Sequence, residues 1–226
     1  MPKLTKRRRK IEELVDKKKI YSVEEAISIL KKVPPANFDE TIEVCFNLNI
    51  DPKQSEQLVR GTMVLPHGTG KDIRILALVR GEDASKAKEA GCNYAGADEF
   101  IQKISSGWIE FDAVVATPEM MRDISKLGKV LGPKGLMPSP KAGTVTKDIK
   151  KAVKELKSGK IEFKSGKDGN IYVSAGKISF DEKALIENVN AIIEAIKKTR
   201  PQAIKGIFIK NIHISTTMGC GLKLNK

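Results

Sequence analysis

Two kinds of strand share this chain, and one kind of sheet cannot hold both. From Glu40 the apolar residues alternate: Ile42, Val44, Phe46, Leu48 and Ile50 fall on one side, Thr41, Glu43, Cys45, Asn47 and Asn49 on the other. Period two describes a strand in an antiparallel setting, with one face buried and one facing water or a ligand. Ile73–Val79 (IRILALV) and Asp112–Ala116 (DAVVA) are nearly continuous apolar runs, as expected of strands buried on both faces.

Around the continuous runs the pattern is helical: 84–90, a segment near 101–106, then Thr117–Leu127 with Thr117 as cap and Pro118 at the first helical position. Strands alternating with helices predict a parallel, doubly wound sheet. A lysine-rich helix over 146–157, with Ile149, Val153 and Leu156 inward, closes this region.

The flanks read differently. A basic arm leads into a short helix carrying Ile11, Leu14 and Val15. A second helix starts at Ser22, with Glu25 completing a capping box, and stops at Pro34 and Pro35. Lys160–Lys164 and Asn170–Ser174 around the turn Ser165–Gly169 predict a β-hairpin. A long helix over 181–198 buries Leu185, Ile186, Val189, Ile192, Ile193 and Ile196, and a strand runs through 206–216. Neither flank covers its helices alone. They are therefore expected to form one discontinuous α+β domain, residues 1–66 and 160–226, with an α/β Rossmann-like domain, 67–159, inserted. The joints, Pro66, Gly68 and Gly70 on one strand of chain and Ser158 and Gly159 on the other, make a candidate hinge.

A net charge of +13 points to a polyanionic partner, nucleic acid first. The charge is polarised: residues 67–125 hold 7 basic against 10 acidic groups, residues 126–159 hold 9 against 2. Within the second segment, Leu127–Thr146 (LGKVLGPKGLMPSPKAGTVT) carries Lys129, Lys134 and Lys141 and no carboxylate. Its prolines exclude a long helix, while Val130, Leu131, Leu136 and Met137 give it apolar anchors. An ordered basic loop facing something anionic is the expectation. Three scattered cysteines, Cys45, Cys92 and Cys220, form neither a disulfide framework nor a metal set. No run approaches the roughly eighteen apolar residues of a membrane span, and the N-terminus lacks a secretory apolar core.

Catalytic constellations are missing. Gly68-Thr69-Gly70-Lys71 imitates a phosphate loop, but Leu65 stands where its first glycine belongs and Asp72 where the Ser or Thr would follow. His67 and His213 suit surface or packing roles, and Asp98-Glu99 reads as a solvated turn. No catalytic residue, cofactor or metal ligand is expected. Aromatics make up only 5%, so RNA recognition would proceed through backbone, hydroxyl and charge contacts to a folded shape. Ser215, Thr216, Thr217, Met218 and Gly219 offer hydroxyls, a pliable apolar side chain and a position without Cβ; taken by themselves they read first as a strand end with a glycine turn. Phe38, in Phe38-Asp39-Glu40-Thr41, reads by parity as a core residue.

Together, Asn37–Val44, Leu48–Asp51, Val59–Lys71, Asp112–Pro118, Gly128–Val145 and Thr217–Gly219 resemble the bacterial L-one family of large-subunit ribosomal proteins, over almost the whole chain. That resemblance implies the same layout: a discontinuous α+β domain with an inserted Rossmann-like domain. It implies binding to large-subunit rRNA in a mobile stalk beside the tRNA exit site, with release of deacylated tRNA. It also implies repression through the protein's own operon mRNA. By residue, it implies RNA contact at Phe38, Glu40, Thr41, Glu43, Ser215, Thr216, Thr217, Met218 and Gly219. The carboxylates would accept from 2′-hydroxyls or order neighbouring lysines. The expected setting is a cytoplasmic or organellar ribosome, with no membrane partner and a monomer when free. Three departures stand out: Asn37 where a lysine is common, Cys220 in place of a proline, which predicts a looser turn, and Gly91-Cys92-Asn93 for Gly-Ala-Asp. Two other classes remain open on residues alone. A nucleotide-dependent enzyme would need a glycine loop where Arg80-Gly81-Glu82-Asp83 stands, and a free mRNA repressor would act off the ribosome.

Overall fold

The computed structural model describes residues 6–16, 18–34 and 36–225, without the side chains of Lys6 and Ser55. The start of the basic arm, residues 1–5, and Pro35 lie outside the described residues. In chain order the first elements are α1 (Lys6–Leu14), β1 (Ile20–Tyr21), α2 (Val23–Lys32), β2 (Thr41–Leu48) and β3 (Arg60–Val64). Next come β4 (Ile75–Leu78), α3 (Glu82–Glu89), β5 (Tyr94–Gly96), α4 (Asp98–Ser105), β6 (Ala113–Ala116), the single turns α5 (Met121–Ile124) and α6 (Gly128–Leu131), and α7 (Ile149–Lys157). The last are β7 (Lys160–Lys164), β8 (Asn170–Lys177), α8 (Glu182–Lys198), β9 (Ile209–Thr216) and β10 (Leu222–Leu224). They fall into two compact units: Met1–Gly70 with Ile161–Lys226, and Lys71–Lys160.

In the larger unit a five-stranded sheet runs β1-β10-β9-β2-β8. Apart from the parallel β1–β10 edge, its pairings are antiparallel. Ile42, Val44 and Phe46 are fully buried in a core with Ile212, Ile214, Ile27 and Leu30. The Ser22 cap holds: its hydroxyl accepts from the Glu25 amide at 3.2 Å. The reciprocal half of the box is absent, because the Glu25 carboxylate faces Lys19 at 3.3 Å instead. Ile11 and Val15 are buried as expected, but Leu14 is on the exposed side of α1.

The expected β7–β8 hairpin does not form a ladder. Its turn closes, with the Gly166 amide donating to the Asn170 carbonyl at 2.8 Å. The strands then part: β7 joins β3 in a two-stranded sheet, and β8 takes the free edge of β2 from Asn47↔Asn170 to Thr41↔Lys177. Phe163 of β7 lies over Gly61, where a Cβ would stand 2.7 Å from its ring, so β3 is shaped to receive β7.

The smaller unit contains a parallel sheet, order β5-β4-β6. β4 is buried on both faces: Ile75 and Ala77 pack with Ala152 and Val153 of α7, Leu76 and Leu78 with Ile104 and Phe111. The continuous apolar run thus has its physical cause. The third strand, β5, is too short to have shown as a pattern. Asn93 fixes its start, accepting from the Ile75 amide at 3.0 Å and donating its own amide to the Ile75 carbonyl at 3.1 Å. Gly91-Cys92-Asn93 is accordingly a structural joint, and burial pushes the Cys92 thiol up to about 11. Thr117 precedes Pro118 in extended backbone but gives no side-chain cap, and the helix expected there breaks into 3-10 and single α turns. Asp98 and Glu99 open α4 and do not form a turn.

Candidate RNA-binding surface

At one end of the larger unit's sheet, two loops meet through polar bonds that are for the most part half-buried. The Arg7 guanidinium donates to the Pro34 carbonyl at 3.1 Å, the Met218 carbonyl at 3.1 Å and the Glu40 carboxylate at 2.7 Å. Glu40, 2% exposed, also accepts from the Ala36 amide at 3.2 Å and the Met218 amide at 2.9 Å. Burial alone would raise the pKa of its carboxyl. The Met218 amide, Arg7 and the Ala36 amide together hold it below the usual carboxylate value. Glu40 is therefore not placed to face RNA, as the resemblance had implied. It is a strut between the two loops, and the cation it orders is Arg7, not a lysine.

The strut presents the residues that remain exposed. Asp39 accepts from the Ser179 hydroxyl at 2.8 Å, so the loop is pinned on both sides of Phe38. Phe38 is not a core residue, as its parity suggested; it stands 53% exposed beside a turn whose Met218 is 57% exposed. The Thr217 hydroxyl accepts from the Thr41 amide at 3.0 Å and can return a bond to the Thr41 carbonyl at 3.3 Å. Thr216 is buried, and a Cβ on Gly219 would collide with its hydroxyl. Thr216 and Gly219 thus shape the turn from within. Nor is the turn loose after Cys220: the Gly219 amide donates to the Thr216 carbonyl at 3.1 Å, and Leu222 re-enters the core.

From this turn the polar face of the sheet extends in register. Ser215, Glu43 and Ser174 lie abreast across β9, β2 and β8. The next row is Lys223, His213, Cys45 and Tyr172, with Tyr172 64% exposed. Asn211, Asn47 and Asn170 follow, Asn47 donating to Asn170 at 2.8 Å. Burial, then the Lys223 charge, holds the His213 imidazole below its usual pKa, which favours its neutral form. Reading single segments missed Tyr172, His213 and Lys223. For Tyr172 and His213 the signal was present, since period two puts them on the same face of their strands as Ser174 and Ser215; Lys223, on the three-residue β10, joins them only through its pairing with His213.

In the smaller unit the basic loop is ordered. Leu131 is buried, and the Leu136 amide donates to its carbonyl at 3.0 Å. The Thr144 hydroxyl accepts from the Ser139 amide at 2.8 Å, and Thr144 and Thr146 lace the loop to Ala116 at the end of β6. One turn of helix, α6, fits ahead of Pro133. Lys129, Lys134 and Lys141 are all exposed, and among the described residues none is within ion-pair distance of a carboxylate. The crevice beyond the ends of β4 and β6, where open α/β sheets bind nucleotides, is occupied by ion pairs. Arg80 there contacts Asp98 and Asp123 at 3.3 Å each. A nucleotide phosphate would meet those two carboxylates.

The joint residues are held within their own units. Asn188, fully buried on α8, accepts from the His67 amide at 3.1 Å and donates to the Gly68 carbonyl at 3.1 Å. Gly70, φ 70°, lies under the Phe180 ring. Ser158 closes α7 by donating to the Lys154 carbonyl, and Gly159 follows at φ 90°.

The model of the Ribosomal protein L1p/L10e family matches residues 30–220. The chain belongs to that family. The Large ribosomal subunit protein uL1 of Protochlamydia amoebophila is 52% identical over 225 residues, covering all of this chain and 95% of that protein. Those of Persephonella marina and Kosmotoga olearia are 51% and 50% identical, covering all of this chain and 95% and 97% of theirs. The L1p/L10e family is one of structural ribosomal proteins, not of enzymes. The matched span contains Phe38, Glu40, the basic loop and the whole Thr217–Gly219 turn, and omits all of α1.

Proposed function

We propose that this chain is a structural protein of the large ribosomal subunit, in the cytoplasm, and that its discontinuous α+β unit grips a folded site in rRNA. The observation that carries this reading is the exposed pair Phe38 and Met218, held by the Arg7–Glu40 strut at the end of a polar sheet face. An aromatic ring and a thioether on pinned backbone offer a base or ribose an apolar surface at little ordering cost. Thr41, Glu43, Ser215 and Thr217 supply partners for 2′-hydroxyls, and the net charge of +13 supplies phosphate neutralisation.

The bound rRNA forms a mobile stalk beside the tRNA exit site. The inserted Rossmann-like domain turns Lys129, Lys134 and Lys141 toward outgoing tRNA and aids release of the deacylated form. With His67, Gly68, Ser158 and Gly159 each tied inside its own unit, the swing falls where the chain passes between the units, at Gly70–Lys71 and at Lys160, where β7 begins. The same surface binds a copy of the site in the protein's own operon mRNA, so that free monomer in excess represses translation.

Footprinting the protein on total rRNA tests the central point. One protected large-subunit site is expected, with affinity falling steeply as salt rises. Protection spread evenly over all RNA would refute it. Equal translation of the operon mRNA with and without added protein would remove the repressor role alone.

A further inference from the structure

α1 precedes the matched family span, yet it supplies a side chain that holds both loops of the RNA-binding surface. Each nitrogen of the Arg7 guanidinium meets a different acceptor: Nε the Pro34 carbonyl, Nη1 the Met218 carbonyl, Nη2 the Glu40 carboxylate. Glu40 in turn accepts from the Met218 amide, so the ion pair brackets Met218, one partner on its N–H and the other on its C=O. The same pair brackets the approach to Phe38, through the Pro34 carbonyl and the Ala36 amide. Packing does not duplicate this hold. Ile11 and Val15 anchor α1 in the core, but an open cavity of about 230 Å³ lies between them and Met218 and Gly219. Van der Waals contact between helix and turn is therefore incomplete, and the guanidinium carries the connection.

We propose that Arg7 is a positioning residue for RNA recognition: α1 clamps Phe38 and Met218 in binding geometry, and Arg7 adds to rRNA affinity through them, not through a phosphate. This rests on the rRNA-binding reading proposed above. Both recognition side chains are exposed, so little but their backbone orders them before RNA arrives. Ordering left undone in the free protein is subtracted from affinity on binding. Three acceptors in fixed directions suit the planar guanidinium, whereas a lysine ammonium is a single point on a flexible stem. A phosphate would gain little here, because the Glu40 carboxylate at 2.7 Å already answers the Arg7 charge. α1 thus serves the interface from behind, although it belongs to the most basic-looking end of the chain.

The test measures the affinity of full-length variants for the rRNA fragment that the protein protects, across a salt series. Arg7→Met is expected to lose about tenfold, with the slope of log affinity against log salt unchanged. Loss of a phosphate contact would instead reduce that slope by about one. In a Phe38→Ala/Met218→Ala background, most of the Arg7→Met loss should vanish, because Arg7 acts through those two side chains. Arg7→Lys keeps the charge without the fork and should recover little of the affinity; it carries the test if Arg7→Met melts below the assay temperature. A reduced salt slope, additive losses, or full rescue by lysine overturns the clamp and leaves the rRNA reading standing. Wild-type binding no tighter than to unrelated RNA overturns that reading first.

Discussion

The two sheets of this protein differ in what they leave exposed. Helices cover both faces of the smaller unit's parallel sheet, so every residue of β4 is buried and only loops and helix surfaces remain for contact. The larger unit covers one face of its antiparallel sheet and leaves Glu43, Tyr172 and Ser215 on the other. The lesson is that an interface needs an uncovered face, and an uncovered face needs period-two strands. Lysine density is a weaker guide. The segment richest in lysine belongs to the smaller unit, whereas the pinned aromatic and thioether belong to the larger.

The sharpest way to break this comparison is to truncate one residue on each sheet. Leu78→Ala, fully buried, should destabilise the protein by about 2–5 kcal/mol in denaturant unfolding, whereas exposed Glu43→Ala should stay within about 0.5 kcal/mol. Similar losses from both would mean the larger sheet's polar face is covered after all. Glu40→Ala comes next. It leaves Arg7 without its carboxylate and the Met218 amide without an acceptor, at roughly 2–3 kcal/mol, less than a fully buried pair because Arg7 keeps solvent access. Circular dichroism melts measure it, and a shift of under one degree would remove the strut.

Met218→Asp should weaken rRNA binding by about 1–3 kcal/mol while leaving the melt in place, since the side chain is exposed. It is a cleaner probe than Thr217→Val, whose hydroxyl also ties Thr41. Acid gives a smaller effect of known sign. Glu40 has its carboxyl pKa lowered in the fold, from a reference of 4.5. Its contribution is fully present above that reference and is lost as pH falls through the folded value. Wild type should therefore lose more stability on acidification than Glu40→Gln; parallel curves would deny the strut its charge. Smallest of all, replacing Lys129, Lys134 and Lys141 together by Ala should change rRNA affinity by less than about 0.5 kcal/mol. The same variant should slow tRNA departure from the ribosome and reduce the salt dependence of tRNA contact. A large loss of rRNA affinity would transfer the grip to the smaller unit.

Local chemistry was legible in part. Ser22 caps α2 and Pro118 opens a helical turn as read, whereas the Thr117 cap and Glu25's half of the capping box, equally local, do not form. What could not be read was the choice among distant partners. β1, β3, β5 and β10 run two to five residues, too short for a periodicity, and exist because a neighbouring edge receives them. The hairpin failed for the same reason. Its turn is local, but β2 competes for β8 through seven register pairs that no local pattern reveals.

The order of residues alone decided which strands would be buried on one face and which on both, because burial on each face requires apolar atoms at set spacings. It also decided the excess of positive charge and the basic loop. Only the tertiary structure decided that Glu40 would be a strut while Phe38, two residues before it, would stand in solvent. That outcome depends on Arg7 and Met218, 33 and 178 residues from Glu40 along the chain. A carboxylate and an arginine far apart in sequence carry no mutual signal; folding alone takes the Glu40 carboxylate out of water and sets the half-exposed Arg7 guanidinium against it, and there the bond between them offsets the cost of burial.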